Sequence, residues 1–332
     1  MTERSAFNVI VCGEALIDLL EQPDGSFLAR PGGSPTNTAV ALSRLGIRTA
    51  LVARLAADRF GNLLRTHLTE SGVDLFSAVH SAKPTTLAVA SLDETKNASY
   101  SFYIDGCADG SWSTADIPNA LDATDVLVVS GSLALPTPAM AEVMENLLHR
   151  AQGQLVVVFD PNIRPALITD KSTVTNRLDR WITQSTIVKA SAEDVAWRWP
   201  DKTIEEVAHE WIEQGVALIV ITDGARGAYG YTTSASTRCE APAVDVIDTI
   251  GAGDTFTAGL INWLAEHSFT TSDALRSLTS SQLKAALDAA IALASDTCTR
   301  PGADPPWATA SNSGSIAVFS GNGPRKVRTH DR

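Results

Sequence analysis

The twelve residues DTIGAGDTFTAG, 248–259, set small residues between carboxylates at what reads as the start of a helix. Gly251 and Gly253 can take backbone angles closed to other residues. Asp254 then falls in the first helical turn, where free N–H groups and the helix dipole favour a carboxylate. Two chemistries fit: a tight turn with a capped helix, or an anion site with a carboxylate beside it. Other loops carry similar groups. RPGGSPTN (30–37) places paired glycines, Gly33 among them, before a helix with Asn37 near its cap. FDPNIR (159–164) ends a strand with Asp160, Asn162 and Arg164, polar groups that would project into a crevice. TDGARGAYGY (222–231) follows another strand, and Gly224 and Gly227 allow close backbone approach to a ligand or a plain hairpin turn. The familiar nucleotide fingerprints are missing: no G-x-x-x-x-G-K-S/T, and no G-x-G-x-x-G after the first strand.

These loops need elements to hold them, and strands and helices alternate along the chain. NVIVC (8–12), TALVARL, DVLVVSG, LVVVFD, TIVKAS and ALIVITDG read as buried strands. Helices are predicted at 36–46, where Gly46 is a natural stop, and at FGNLLRTHLTESG, PAMAEVMENLLHRAQG and TIEEVAHEWIEQG. Two more follow, after Gly253 and through SQLKAALDAAIALAS. Continuous apolar strands separated by helices imply a largely parallel sheet covered on both faces. Ligands bind such sheets beyond the carboxyl ends of the strands, where FDPN and TDG occur. TTLAVASLD (85–93) and ASYSFYID (98–105) break the pattern by alternating, with ETKN between them as a hairpin loop. Together with ALIDLLEQPDGSFLAR (15–30) they predict a small sheet entered from two places, a lid over a site or a decorated edge.

The whole chain of 332 residues is 44% hydrophobic and 19% charged, the composition of a globular protein. A net charge of −12 argues against a broad nucleic-acid surface. Cys12, Cys107, Cys239 and Cys298 lie far apart without zinc spacing, which predicts reduced, packed thiols. The first residues lack a signal-peptide pattern and no apolar run could span a bilayer, so the expectation is a cytoplasmic protein without a membrane partner. Residues 311–332, rich in Ser, Gly and Asn with a basic end, read as a loosely held tail.

Taken together and in this order, the loops resemble those of the ribokinase-like sugar kinases of the phosphofructokinase-B type. GGSPTNTAVALSRLG looks like the family's N-terminal signature and DTIGAGDTFTAG like its more specific C-terminal one. GEALIDLL, SFYIDGCAD and FDPNIR look most like the corresponding stretches of fructokinases. The resemblance implies an α/β kinase domain over 1–310: a mostly parallel central sheet flanked by helices, with a β lid from about 15–36 and 85–111. It implies ATP and Mg²⁺, with direct transfer of the γ-phosphate to a sugar hydroxyl. Amides of Gly251, Ala252 and Gly253 would form the anion hole, and Asp254 would be the base. Asp18, Gly33 and Asn37 would bind sugar hydroxyls, with Arg164 and Tyr103 bordering the pocket. Thr222, Gly224, Gly227 and Gly302 would lie along the nucleotide. Asp248 and the Ile250 carbonyl match a monovalent-cation site, which would take K⁺. The family's N-x-x-E motif is replaced by Ser191-Ala192-Glu193-Asp194, so Asp194 or Glu193 would organise waters on Mg²⁺. Lid strands of this family can pair between subunits, which implies a homodimer. The rival readings are a 2-keto-3-deoxygluconate kinase, with Arg164 on the substrate carboxylate, and a sugar-binding regulator without catalysis.

Overall fold

Val126 and Val128 pack into one cluster of buried residues, and Leu127 and Val129 between them pack into another. Successive side chains of a strand point to opposite faces, so an unbroken apolar strand needs cover on both. The computed structural model, which describes residues 7–308 apart from 23, 93–97, 118–120, 122 and 123, provides it. An eight-stranded sheet runs in the order Ser236–Cys239, Ala228–Tyr231, Leu218–Thr222, Ile187–Ser191, Val156–Asp160, Val126–Ser130, Asn8–Cys12, Arg48–Val52. All pairings are parallel except those of the hairpin Ala228–Tyr231 and Ser236–Cys239 at one edge. Helices Ser34–Arg44, Arg59–Glu70, Ala252–Glu266 and Ser280–Cys298 cover one face through Leu42, Leu64, Leu260 and Leu287. Helices Pro138–Ala151, Lys171–Thr183 and Ile204–Glu213 cover the other through Met144, Trp181 and Trp211.

The chain moves outward from Asn8–Cys12 to Arg48–Val52, then returns to Val126–Ser130 on the other side and continues away. That reversal opens a crevice at the carboxyl ends of Asn8–Cys12 and Val126–Ser130, the place where open parallel sheets bind ligands.

A second sheet stands apart, in the order Phe27–Gly32, Leu16–Glu21, Leu87–Leu92, Ala98–Tyr103. It is entered from two separate places in the chain, as the alternating segments predict. The expected single strand through TALVARL is two: Arg48–Val52 in the main sheet and Arg54–Ala56 paired with Val79–Ser81. The first predicted helix begins at Ser34 rather than 36, because Pro35 suits the first turn, where its missing N–H costs nothing. The loop 94–97 and the tail 311–332 lie outside the described residues.

Candidate active site

Gly251 takes a left-handed conformation, φ +76°, that turns the chain into helix Ala252–Glu266. A Cβ there would come 2.6 Å from Ala303 Cβ, so the position is closed to larger residues twice over. No side chain caps this helix among the described residues, and its first-turn amides border a cleft of about 660 Å³ with Gly251 and Gly253 in the wall. Such amides carry the positive end of the helix dipole. Ala252 lies between the two glycines, its N–H directed to Thr249 O at 3.2 Å.

Asp254 follows immediately and is buried. Ser34 Oγ donates to its Oδ1 at 2.6 Å and Asn37 Nδ2 to its Oδ2 at 2.9 Å. Both donors sit in the first turn of Ser34–Arg44, which Gly33 enters at φ +100°. A Cβ on Gly33 would stand 2.9 Å from Glu14 O, so the glycine permits this close approach. Burial pushes the Asp254 carboxyl above its ordinary pKa, against the pull of the Ser34 and Asn37 donors and the charges of Lys189 and Arg164.

Asp18, from the small sheet, lines the same cleft. Burial, then the charge of Asp254, pushes its carboxyl up to about 7, with Arg164 opposing. Arg164 lies at the mouth, its Nη1 donating to Asn162 O and Ile163 O at 3.3 Å each. Tyr103 requires a correction. It is 58% exposed and does not line the cleft; Tyr100 and Phe102, on the other face of the same strand, do.

Of the residues expected along the nucleotide, Thr222 lines the cleft. Gly224 and Gly227 lie in the turn beyond it, outside the cleft lining, both at positive φ. A Cβ on Gly227 would strike Cys239 O at 1.9 Å, so close packing of the edge hairpin is enough to require that glycine. Gly302 donates its N–H to Asp248 Oδ2 at 2.8 Å, and Ile250 donates to Asp248 Oδ1 at 3.0 Å. Asp248 thereby ties the turn at 248–251 to the loop around Gly302. Ile250 borders the cleft and Asp248 does not.

Asp194 and Glu193 both line the cleft, but Asp194 is heavily engaged. It accepts from Ile163 N at 2.7 Å and from both Ser191 N and Ser191 Oγ at 2.8 Å, as half of a capping box. No cluster of three or more His, Cys, Asp or Glu able to hold a metal ion occurs among the described residues.

Several cleft residues stand outside the loop motifs of the sequence. Lys189 is buried and paired with Asp160 at 2.8 Å. Burial alone would lower its pKa, but the Asp160 carboxylate carries it above the usual lysine value. A Cβ on Gly253 would lie 3.2 Å from Lys189 Nζ, so this ammonium stands behind the helix N-terminus. Its signal was a lone charge inside the apolar run TIVKAS, which a buried strand tolerates only with a partner. Glu14 and Ser132 follow the two strands at the reversal point and are also buried. Ser132 Oγ donates to Glu14 Oε1, and Ser34 N donates to the same oxygen at 3.1 Å. Ser130 Oγ lies 3.2 Å from both Ser132 Oγ and Ser34 Oγ.

The cleft thus joins an amide-lined helix N-terminus, a buried carboxylate with two donors, and a buried lysine. That combination suits transfer of an anionic group to a hydroxyl. Comparison with known proteins points the same way. The model of the pfkB family carbohydrate kinases matches residues 6–310. A fructokinase of Rhizobium leguminosarum bv. trifolii is 37% identical over 280 residues, 83% of this chain and 85% of that one. Among solved structures, fructokinase with bound ATP from Xylella fastidiosa superposes with a TM-score of 0.82 at 29% identity, over 89% of this chain and 93% of that one. A double-mutant fructokinase from Vibrio cholerae O395, with fructose, ADP and potassium ion bound, gives 0.79 at 28% identity, over 90% and 94% of the two chains.

Proposed function

As the chain belongs to the pfkB family of carbohydrate kinases, we propose that the sugar it phosphorylates is fructose and that Asp254 removes the proton from the attacking hydroxyl. It is an ATP-dependent sugar kinase, a phosphotransferase with an alcohol group as acceptor. The observation that carries the assignment of the base is the Asp254 carboxylate, held by Ser34 and Asn37 beside the uncapped first turn of its helix. In the step, the sugar oxygen bonds to the γ-phosphorus, the bond from that phosphorus to the β-phosphate bridge breaks, and the hydroxyl proton passes to Asp254. ADP leaves and no phosphoenzyme forms. The amides of Gly251 and Gly253 receive the charge on the moving phosphoryl group, with Lys189 behind them, and the Ala252 N–H would join them only by leaving Thr249 O.

Asp18, Gly33, Asn37 and Arg164 surround the sugar in this reading, and Thr222, Gly224, Gly227 and Gly302 border the nucleotide. Mg²⁺, which keeps several of its waters, would be met through water by Glu193, because Asp194 is already engaged by Ile163 N and Ser191. Asp248 and the Ile250 carbonyl would hold K⁺, supported by the potassium ion in the Vibrio cholerae relative. Leu28, Leu20, Ala90 and Tyr100 fall in one row across the small sheet, with Leu28 and Tyr100 each more than 40% exposed. That row supports a homodimer closed through the small sheets, for which sedimentation of the purified protein gives the mass. The free cysteines support a reducing compartment, the cytoplasm. No helix among the described residues is long and apolar enough to cross a membrane.

A coupled ADP-release assay over ketoses, aldoses, sugar acids and nucleosides tests the substrate. Fructose should give the highest kcat/KM. A sugar acid ahead of fructose would replace the substrate, and no stimulation by any of them would favour the non-catalytic regulator.

A further inference from the structure

Four contacts link the two buried carboxyls: Asp254 to Ser34, Ser34 to Ser130, Ser130 to Ser132, and Ser132 to Glu14. All five residues are buried, so no water is needed to complete the chain. Three serines supply three hydroxyl protons. If both carboxyls are ionised, Ser34 donates to Asp254, Ser130 to Ser34 and Ser132 to Glu14. The hydroxyls of Ser130 and Ser132, 3.2 Å apart, are then left without a proton between them. One further proton repairs the chain. Placed on Glu14, it lets Glu14 donate to Ser132, Ser132 to Ser130, Ser130 to Ser34 and Ser34 to Asp254. Every contact is then satisfied and Asp254 keeps its charge.

We propose that Glu14 is held as a neutral acid whose proton gives the serine chain its direction, making it a positioning residue that keeps Asp254 ionised and oriented. The inference rests on Asp254 acting as the base. Glu14 Oε2 has no hydrogen-bond partner among the described residues, which a neutral acid tolerates far better than a carboxylate. Burial also raises the Glu14 pKa, against the Ser132 and Ser34 donors and the charge of Arg164. The other titratable groups facing Glu14 are Asp18, Asp109 and Cys12, and the negative charge of either aspartate favours its neutral form. Asp254 does the same from the far end of the chain.

Infrared difference spectra of the resting protein, without sugar or nucleotide, test the protonation. At pH about 7, where ordinary carboxyls are ionised, the parent should show a protonated-carboxyl C=O band that Glu14→Gln lacks. In Ser130→Ala the contact that wanted a proton is gone, so the band should titrate away at lower pH than in the parent. Kinetics supply a second readout. The parent kcat should fall at alkaline pH as Glu14 loses its proton, because the Ser130–Ser132 contact left without one then competes with Ser34 for the Ser130 hydroxyl and loosens the hold on Asp254. Glu14→Gln, with an amide that always donates, should recover the neutral kcat to within a few-fold and lose the alkaline decline. Identical parent and Glu14→Gln spectra would overturn the proposal, as would a Glu14 band unmoved in Ser130→Ala or an alkaline decline kept by folded Glu14→Gln. The spectra need no substrate, so a parent inactive on fructose would overturn the substrate assignment and leave this one standing.

Discussion

Asp254→Asn exchanges the carboxylate for an amide of nearly the same size between Ser34 and Asn37. Loss of the proton acceptor should lower the single-turnover rate about 10²- to 10⁴-fold, with sugar affinity weakened far less. A rate within a few-fold of the parent would take Asp254 out of that role. Arg164 separates the two leading substrates. If the sugar is neutral, Arg164→Lys keeps a donor and a charge, and kcat/KM should fall by about 1–2 kcal/mol. A sugar acid would lose the two-pronged grip of a guanidinium on a carboxylate, giving a larger loss confined to acids. Kinetics on fructose and 2-keto-3-deoxygluconate decide between them. Gly251, Asp254 and Asn37 were legible in the sequence because turns and helix starts are written in neighbouring residues. Glu14 and Lys189 were not, because their meaning lies in Ser132 and Asp160, 118 and 29 residues away.

At the scale of elements, the small sheet is the part placed to close over the cleft. It carries Asp18, Tyr100 and Phe102 over the cleft, while the amides that face them belong to the main sheet's helices. If it closes on the substrate, hydrogen exchange in Leu16–Glu21, Phe27–Gly32, Leu87–Leu92 and Ala98–Tyr103 should slow with fructose and a non-hydrolysable nucleotide, since closure excludes water. Unchanged exchange would make the sheet a fixed edge. Leu87–Leu92 and Ala98–Tyr103 were readable from their alternation, and the parallel strands of the main sheet from their apolar runs; Leu16–Glu21, LIDLLE, does not alternate, and the edge strands Ala228–Tyr231 and Ser236–Cys239 are too short to stand out. Helix Lys171–Thr183 went unread: Val174, Leu178, Trp181 and Ile182 do form a buried stripe, but polar residues outnumber them in KSTVTNRLDRWIT. The break at Ala53 was invisible because Leu55 and Ala56 stay apolar and buried while the strand changes partners.

For the whole molecule, several buried acids couple stability to pH. Burial pushes Asp18 and Asp109 up to about 7, and Asp160 up to about 6 despite Lys189. The folded chain therefore binds protons that the unfolded chain releases near the ordinary aspartate value, so stability falls as pH rises through these pKa values. The opposite sign holds for Asp58 and Asp170, whose carboxyls accept hydrogen bonds and sit below the ordinary value, so their contribution is lost in acid. Thermal unfolding should show a midpoint that drops as pH rises from about 4 to about 7 and levels off above, with a separate decline below about 4. A midpoint rising steadily across the upper range would contradict the burial of these carboxyls.

The bonds from Ser34 and Asn37 to Asp254 span 220 and 217 residues of chain. During synthesis, the donating serine and asparagine leave the ribosome long before the carboxylate they hold. Helix Ala252–Glu266 also needs Ser280–Cys298, against which Gly259 packs so closely that a Cβ would lie 3.0 Å from Ala290 Cα. With Asp254 as the base, the order of translation should keep a nascent chain silent: most of its parallel sheet precedes that residue in the chain. A ribosome-held chain ending before residue 280 should fold in part yet release no ADP, so the cell spends no ATP on half-made copies.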